Sequence, residues 1–147
     1  MATKDGWADS DPVVDPLVQL SFAVLDILGR AAATHDLSVT QLRLLGILRD
    51  REPTMAEIAA FLRLDRSSVS GLIDRAEKRG IVARRNSTKD ARVTTVSLTT
   101  AGRTLADNVG PTLYAEIEKL LGQLTPGERT TIIGLGRLTT PDYWFSG

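Results

Sequence analysis

Residues 55–74 read MAEIAAFLRLDRSSVSGLID, and their apolar residues recur at the spacing of two short helices that cross at a turn. The small Ala59 stands where two such helices would approach each other most closely. Arg63 occupies the turn, where many motifs of this kind carry glycine. The pattern predicts a helix-turn-helix, and the residues expected to hold its crossing angle are Ile58, Leu62, Leu64, Val69 and Leu72.

The second helix of this pair, predicted over residues 66–79, has an apolar face and an opposite face of small polar residues. The polar face carries Ser67, Ser70, Gly71, Asp74 and Arg75. Such a face can approach the floor of a DNA major groove, where hydroxyl and guanidinium groups bond base edges. We also expect the N-terminus of this helix to favour phosphate.

Gly71 lies in the middle of this predicted helix, where glycine costs about 1 kcal/mol relative to alanine. It is therefore either a gap that close approach to a partner requires or a simple weakness of the helix. We favour the gap as the interpretation, and the sequence leaves both open.

After Gly80 the apolar period changes from helical to alternating, which predicts two strands over residues 81–85 and 92–98 with a polar turn between them. Long cationic side chains on this hairpin could enter a narrow minor groove or grip phosphate, and they are Arg84, Arg85, Lys89 and Arg92. We expect the neighbouring Asp90 to orient Arg92 by a charge-assisted hydrogen bond. An ordinary surface ion pair is the alternative.

Helices are predicted on both sides of this segment. The helix that begins near Pro16 is apolar over so much of its circumference that it needs more than one packing partner. Ser38 with Gln41 opens the following helix as a capping box, and Thr99 caps a later helix that carries a heptad-like stripe. The fold class is therefore mainly α with a small β-hairpin.

The charge of the chain is unevenly distributed. The 147 residues contain 18 Lys and Arg against 18 Asp and Glu, yet residues 54–99 hold nine basic residues against five acidic ones, a net charge of +4. This asymmetry is expected when one segment faces a polyanion and the flanks do not. A merely solvated charged face would give the same pattern.

Several classes of function lack the residues they need. The chain has no cysteine, so a disulfide, a thiol switch and a Cys/His zinc cage are excluded, and we expect no metal and no cofactor. Its single histidine, His35, has no visible catalytic partner, so we do not expect an enzyme. No uninterrupted apolar run of about 18 residues and no basic, apolar leader is seen, which predicts a cytoplasmic protein without a membrane partner.

Helix-turn-helix, strand, basic turn, strand and long helix is the order of a winged helix, and the chain resembles the MarR family of bacterial transcriptional regulators. The flanking helices match that family in placement rather than in motif. Five stretches carry the resemblance: Leu37-Ser38 with Gln41, residues 64–70, residues 75–80, Asp90-Ala91-Arg92 and residues 98–102.

The resemblance implies a homodimer whose outer helices interlock, two recognition helices in successive major grooves of a pseudo-palindromic operator, and wings that grip the flanking minor groove. It implies a flexible arm (1–12), an N-terminal dimerisation helix (13–36), a winged helix-turn-helix lobe (37–99) and C-terminal dimerisation helices (100–147). On matching positions, it makes major-groove candidates of Arg66, Ser67, Ser68 and Ser70, and a wing-tip pair of Asp90 and Arg92. Gly71 departs from the larger polar residue common there, which leaves base reading at that point in doubt.

The family also commonly holds a small anionic or phenolic ligand between the dimer helices and the DNA-binding lobe. Residues that could line such a site here, each also readable as plain core or surface, are Phe22, Asp26, His35, Leu45 and Tyr114. We predict a sequence-specific transcriptional regulator that binds double-stranded DNA, a repressor released by such a ligand. The alternative is a winged-helix module for protein–protein interaction that binds no nucleic acid. Trp144 and Phe145 are expected to pack onto the dimer helices.

Overall fold

The computed structural model describes residues 11–140, and within them it contains six helices and one two-stranded antiparallel sheet. The elements are α1 (Val14–Ala33), α2 (Val39–Asp50), α3 (Met55–Leu62), α4 (Arg66–Lys78), β1 (Val82–Asn86), β2 (Thr94–Leu98), α5 (Thr100–Leu121) and α6 (Pro126–Thr139). The predicted fold class, mainly α with a small hairpin, is confirmed. Most of the arm predicted over residues 1–12, together with Trp144 and Phe145, lies outside the described residues.

Short-range hydrogen bonds at the helix starts explain why these elements begin where they do. Ser38 caps α2 by accepting from the backbone N–H of Gln41, whose side chain accepts in return from the N–H of Ser38. Thr54 begins α3 and Thr125 begins α6 with the same reciprocal arrangement. Each capping box satisfies N–H groups that the first helical turn leaves without a partner, so the boundaries are encoded locally.

The turn between α3 and α4 has the conformation that glycine usually supplies. Arg63 adopts φ 53°, in the left-handed region, and its N–H donates to the carbonyl of Ala60 at 3.3 Å. The N–H of Leu64 donates to the carbonyl of Ala59 at 3.1 Å. The turn therefore ends α3 by the left-handed route even though its residue carries a side chain.

The core lies between α2, α3 and α4 and the hairpin that closes over them. Ile58, Leu62, Val69 and Leu72, four of the five predicted anchors, are buried, and Leu64 is half-buried against them. The remaining members of the core come from the other elements, among them Leu44, Leu45, Leu48, Ile73, Ala76, Val82, Val96 and Leu98.

The hairpin is fixed to the helices at its base. Its register pairs Val82 with Leu98 and Asn86 with Thr94, so both strands begin one or two residues later than the sequence predicted. The N–H of Val96 donates to the carbonyl of Pro53 at 2.9 Å, which ties β2 to the residue before α3. The base of the wing is thus held by the same segment that starts the helix-turn-helix.

α1 and α6 leave much of their apolar surface uncovered in the single chain. No residue of α6 is buried, and in α1 only Ile27 and Ala32 are. The large apolar residues left exposed on these helices include Val14, Leu17, Val18, Leu20, Phe22, Leu25, Ile132, Ile133, Leu135 and Leu138.

The expectation that no segment is apolar enough to cross a membrane needs a correction. Among the described residues, α1 alone is long and apolar enough by length and composition, although that is weak support for a membrane span. The sequence test missed it because polar residues interrupt the run, and a helix average tolerates such interruptions.

Candidate nucleic-acid interface

α4 separates into a buried face and an exposed face as its sequence predicted. Val69, Leu72, Ile73 and Ala76 point into the core and are buried. On the other side Arg66, Ser67, Ser68, Asp74 and Arg75 are exposed, and Ser70 and Gly71 are half-buried. An amphipathic helix that is anchored along one stripe can present the opposite stripe to a partner without moving.

The N-terminus of α4 is occupied by a carboxylate of the chain itself. Asp65 accepts from the hydroxyl of Ser67 at 2.6 Å, from the hydroxyl of Ser68 at 2.7 Å and from the backbone N–H of Ser68 at 2.9 Å. The two serine hydroxyls, followed by the backbone N–H, hold the pKa of Asp65 well below its usual range. This arrangement corrects the expectation that the helix start favours phosphate, because a negative charge already fills that position.

Ser67 and Ser68 were predicted as groups that bond base edges through their hydroxyls. In the structure both hydroxyl protons are used by Asp65, so each serine offers its oxygen only as an acceptor. Donors for base edges on this face are therefore left to Arg66 and Arg75.

The wing tip has the ion pair that the sequence predicted. Oδ1 of Asp90 accepts from the backbone N–H of Arg92 at 3.0 Å and from its Nε at 3.3 Å. The Arg92 side chain is 91% exposed, so Asp90 sets its direction without covering it. Lys89 is exposed on the same turn, where its N–H donates to the hydroxyl of Ser87 at 3.2 Å.

Arg84 has a different place from the one the sequence suggested. Its guanidinium is bonded to Glu77 and, at 2.7 Å, to Asp74, and its side chain is only 29% exposed. The hydrogen bond to Asp74 is the main reason that the pKa of Arg84 is raised. Arg84 therefore fastens β1 to α4 rather than reaching into a groove, because two acids of the helix claim it first.

Arg85 lies next along the same strand and is exposed. Its Nε donates to the hydroxyl of Ser97 across the hairpin at 3.1 Å. This single neutral contact leaves the charge of Arg85 uncompensated, in contrast to that of Arg84.

Arg79 ties the end of the recognition helix to the turn after α1, a role that the sequence did not reveal. Its two terminal nitrogens donate to the carbonyls of His35 and Asp36, each at 2.7 Å. Asp36 has φ 54°, so the left-handed turn exposes its carbonyl to this fork. His35 therefore takes part through its backbone.

The five residues proposed to line a ligand site are not brought together. Leu45 and Tyr114 line one small apolar cavity of about 130 Å³ beside α5, and Leu45 is also part of the core. Phe22 is exposed on α1, Asp26 forms an ion pair with Arg30, and His35 lies in the turn described above.

A larger cleft of about 940 Å³ lies beside this cavity and shares Tyr114 with it. Three arginines line it: Arg43, Arg49 and Arg63. Arg49 donates to the Tyr114 hydroxyl at 2.7 Å and is paired with Asp50, and these two contacts raise the pKa of Arg49. The sequence analysis missed this set, since Arg63 comes from another element and spacing within α2 alone does not reveal a pocket.

Comparison with known proteins finds one family for this chain. A family model described as the MarR family matches residues 35–93. Over 112 residues, which cover 76% of this chain and 71% of the relative, the sequence is 30% identical to the HTH-type transcriptional repressor NicR of Pseudomonas putida.

Solved structures agree with the fold. BpsR of Bordetella bronchiseptica, whose DNA binding is regulated by 6-hydroxynicotinic acid, superposes with a TM-score of 0.71 at 26% identity, over 88% of this chain and 93% of that one. CouR of Rhodococcus jostii, solved with p-coumaroyl-CoA, superposes with a TM-score of 0.75 at 24% identity, over 88% of this chain and 89% of that one.

Proposed function

The chain belongs to the MarR family of transcriptional regulators, and from this membership we propose that it represses transcription by binding a pseudo-palindromic DNA operator as a homodimer in the cytoplasm. The observation that carries the proposal is the exposed face of α4, whose inward face is anchored in the core while Arg66 and Arg75 remain in solvent. We propose neither catalysis nor a cofactor.

The proposed DNA contacts fall into two groups. In the major groove they are Arg66, Ser70 and Arg75, with Ser67 and Ser68 as acceptors. At the wing they are Arg85, Lys89 and Arg92, with Asp90 as the residue that directs Arg92. Arg84 is left out of the contacts and joins the two groups, because its bond to Asp74 makes the base of the wing contiguous with α4.

A second copy of the chain is the proposed cover for α1 and α6. Soluble monomers rarely leave contiguous apolar patches of this kind exposed. Leu138 is 82% exposed near the end of α6, and Phe22 is 59% exposed on α1. We therefore assign residues 13–36 and 100–147 to dimerisation and residues 37–99 to DNA binding.

The cleft lined by Arg43, Arg49, Arg63 and Tyr114 is the proposed effector site, and a small aromatic acid is the proposed effector. Its volume of about 940 Å³ is within the usual range for ligand sites, its arginines suit a carboxylate, and Tyr114 offers a ring. The relative BpsR responds to such an acid. A ligand held between α2 and α5 would release DNA by changing the spacing of the two recognition helices.

Fluorescence anisotropy with duplexes from the DNA upstream of the protein's own coding sequence tests the DNA proposal. Affinity should fall steeply with salt, because phosphate contacts release counterions. Arg92→Ala should weaken binding and lower the salt slope by about 1 per subunit. The matched control is Lys119→Ala, which removes a positive charge on α5 that is paired with Glu116.

Equal binding by wild type and Arg92→Ala would refute the wing assignment. If no duplex binds even at low salt, the winged-helix interaction module is the better account. For the effector, 6-hydroxynicotinic acid and a panel of aromatic acids are titrated into the complex, and release should be lost in Tyr114→Ala. An affinity for DNA that no acid in the panel changes would contradict the effector proposal.

A further inference from the structure

We propose that Gly71 and Arg75 form one reading unit, in which the guanidinium of Arg75 lies over Gly71 and bonds a guanine in the major groove of each half-site. The inference rests on the proposed function, since it needs α4 to enter the groove. It assigns a base to a specific side chain and gives Gly71 a role in specificity.

The fold itself does not require glycine at position 71. A Cβ built there would meet a single group, Nη1 of Arg75 at 3.2 Å, which is the end of a flexible side chain. At Gly102, in contrast, a Cβ would lie 2.0 Å from a backbone carbonyl oxygen. Because glycine in mid-helix is unfavourable relative to alanine, a requirement outside the isolated chain explains Gly71 better than packing does.

The contact also shows where the Arg75 guanidinium lies. Arg75 follows Gly71 by four residues, so its side chain runs back along α4 by about one helical turn, roughly 6 Å. This places the positive charge over the middle of the helix, nearer to the N-terminal half that recognition helices insert into the groove. A larger side chain at position 71 would occupy the place that the guanidinium takes.

The charges around Arg75 leave it available. The two acids nearest to it along α4, Asp74 and Glu77, are both bonded to Arg84. Among the described residues, no carboxylate is hydrogen-bonded to the Arg75 side chain. Its N–H donors are therefore free for a base.

The surroundings favour a base edge over a phosphate. Arg75 shares a groove of about 670 Å³ with Gly71, Ser67 and Ser68, and these small residues let the helix come close to the groove floor. An arginine whose two N–H groups face the floor matches the O6 and N7 acceptors of guanine, the commonest specific contact of this side chain.

The test selects binding sites from a randomised 24-base-pair duplex pool with wild type, Arg75→Ala and Gly71→Ala. The matched control is Gly46→Ala, in the middle of α2, where a Cβ would meet nothing within 4 Å. Affinities are then measured by anisotropy for the duplex that wild type selects and for a scrambled duplex of the same composition. Thermal unfolding of each variant reports whether it is folded.

Wild type should select a guanine in each half-site that Arg75→Ala no longer selects. Arg75→Ala should bind the selected duplex about 5- to 150-fold more weakly. Gly71→Ala should weaken the same complex about tenfold with an unchanged or raised melting temperature, and it should add nothing to Arg75→Ala in the double variant. The Gly46→Ala variant should select and bind as wild type does.

Three results would overturn the inference: an unchanged guanine in the Arg75→Ala selection, an equal loss of affinity for the selected and scrambled duplexes, or full affinity in Gly71→Ala. The second result would assign Arg75 to phosphate. Failure of wild type to select any sequence would instead contradict the proposed function itself, so the two failures are distinguishable.

Discussion

Replacing Gly102 with alanine should destabilise the protein through a contact that joins the wing to the long helix α5. Gly102 is buried in the first turn of α5, where its N–H donates to the hydroxyl of Thr99 at 3.0 Å. A Cβ there would lie 2.0 Å from the carbonyl oxygen of Ile81, 3.0 Å from its carbonyl carbon and 3.2 Å from Cδ2 of Leu98. Most of this obstruction is backbone, so no rotation of a side chain removes it.

The magnitude follows from two opposing effects. Relief requires α5 and the start of β1 to separate by about 1 Å, and the Ile81 carbonyl that must move also accepts from the N–H of Thr99 at 3.1 Å. Overpacking of this kind costs up to about 3 kcal/mol, and alanine returns about 1 kcal/mol of helix propensity, which leaves a net loss of about 2 kcal/mol. The melting temperature should fall by roughly 4–8 °C.

Urea and thermal unfolding at one fixed protein concentration measure this change, since a dimer makes stability depend on concentration. Gly46→Ala is the matched control, because the same substitution meets open space in the middle of α2. It should raise stability by up to about 1 kcal/mol. If Gly102→Ala were as stable as wild type, or shifted as the control does, the steric argument would be refuted.

Three further changes test other parts of the fold. Arg63→Gly should stabilise the protein by about 1 kcal/mol, because it relieves a left-handed residue, and a lower urea midpoint would contradict this. Asp65 has a lowered pKa in the folded state, so its contribution is complete above about pH 4 and is lost as pH falls below that value; acid unfolding of Asp65→Ser should lack this part of the transition. Arg84→Met should cost about 1–2 kcal/mol in urea unfolding, because it leaves Glu77 and Asp74 without their partner, and should leave the salt slope of DNA binding unchanged; a lowered slope would return Arg84 to the DNA contacts.

Much of the fold could be predicted because its determinants are close together in the chain. The capping boxes at Ser38, Thr54 and Thr125 each need residues three positions apart, and all three are present in the structure. The Asp90–Arg92 pair spans two residues and was predicted for the same reason.

The partners of the arginines could not be predicted in this way. Arg84 and Arg85 are neighbours in the sequence with the same chemistry, yet one is bound by two acids of α4 and the other faces solvent. Strand alternation sends them to opposite faces of the hairpin, and only the packing of β1 on α4 decides which face meets the acids.

The sequence by itself determined the order of helices and strands, the buried stripe of α4 and the asymmetric charge, since periodicity and capping act within a few residues of the chain. The tertiary structure alone decided that Arg79 grips carbonyls 43 and 44 residues away, that Arg43, Arg49 and Arg63 meet in one cleft, and that Gly102 must lack a side chain. These contacts depend on distances between elements, which are fixed only when the core closes and brings distant backbones together.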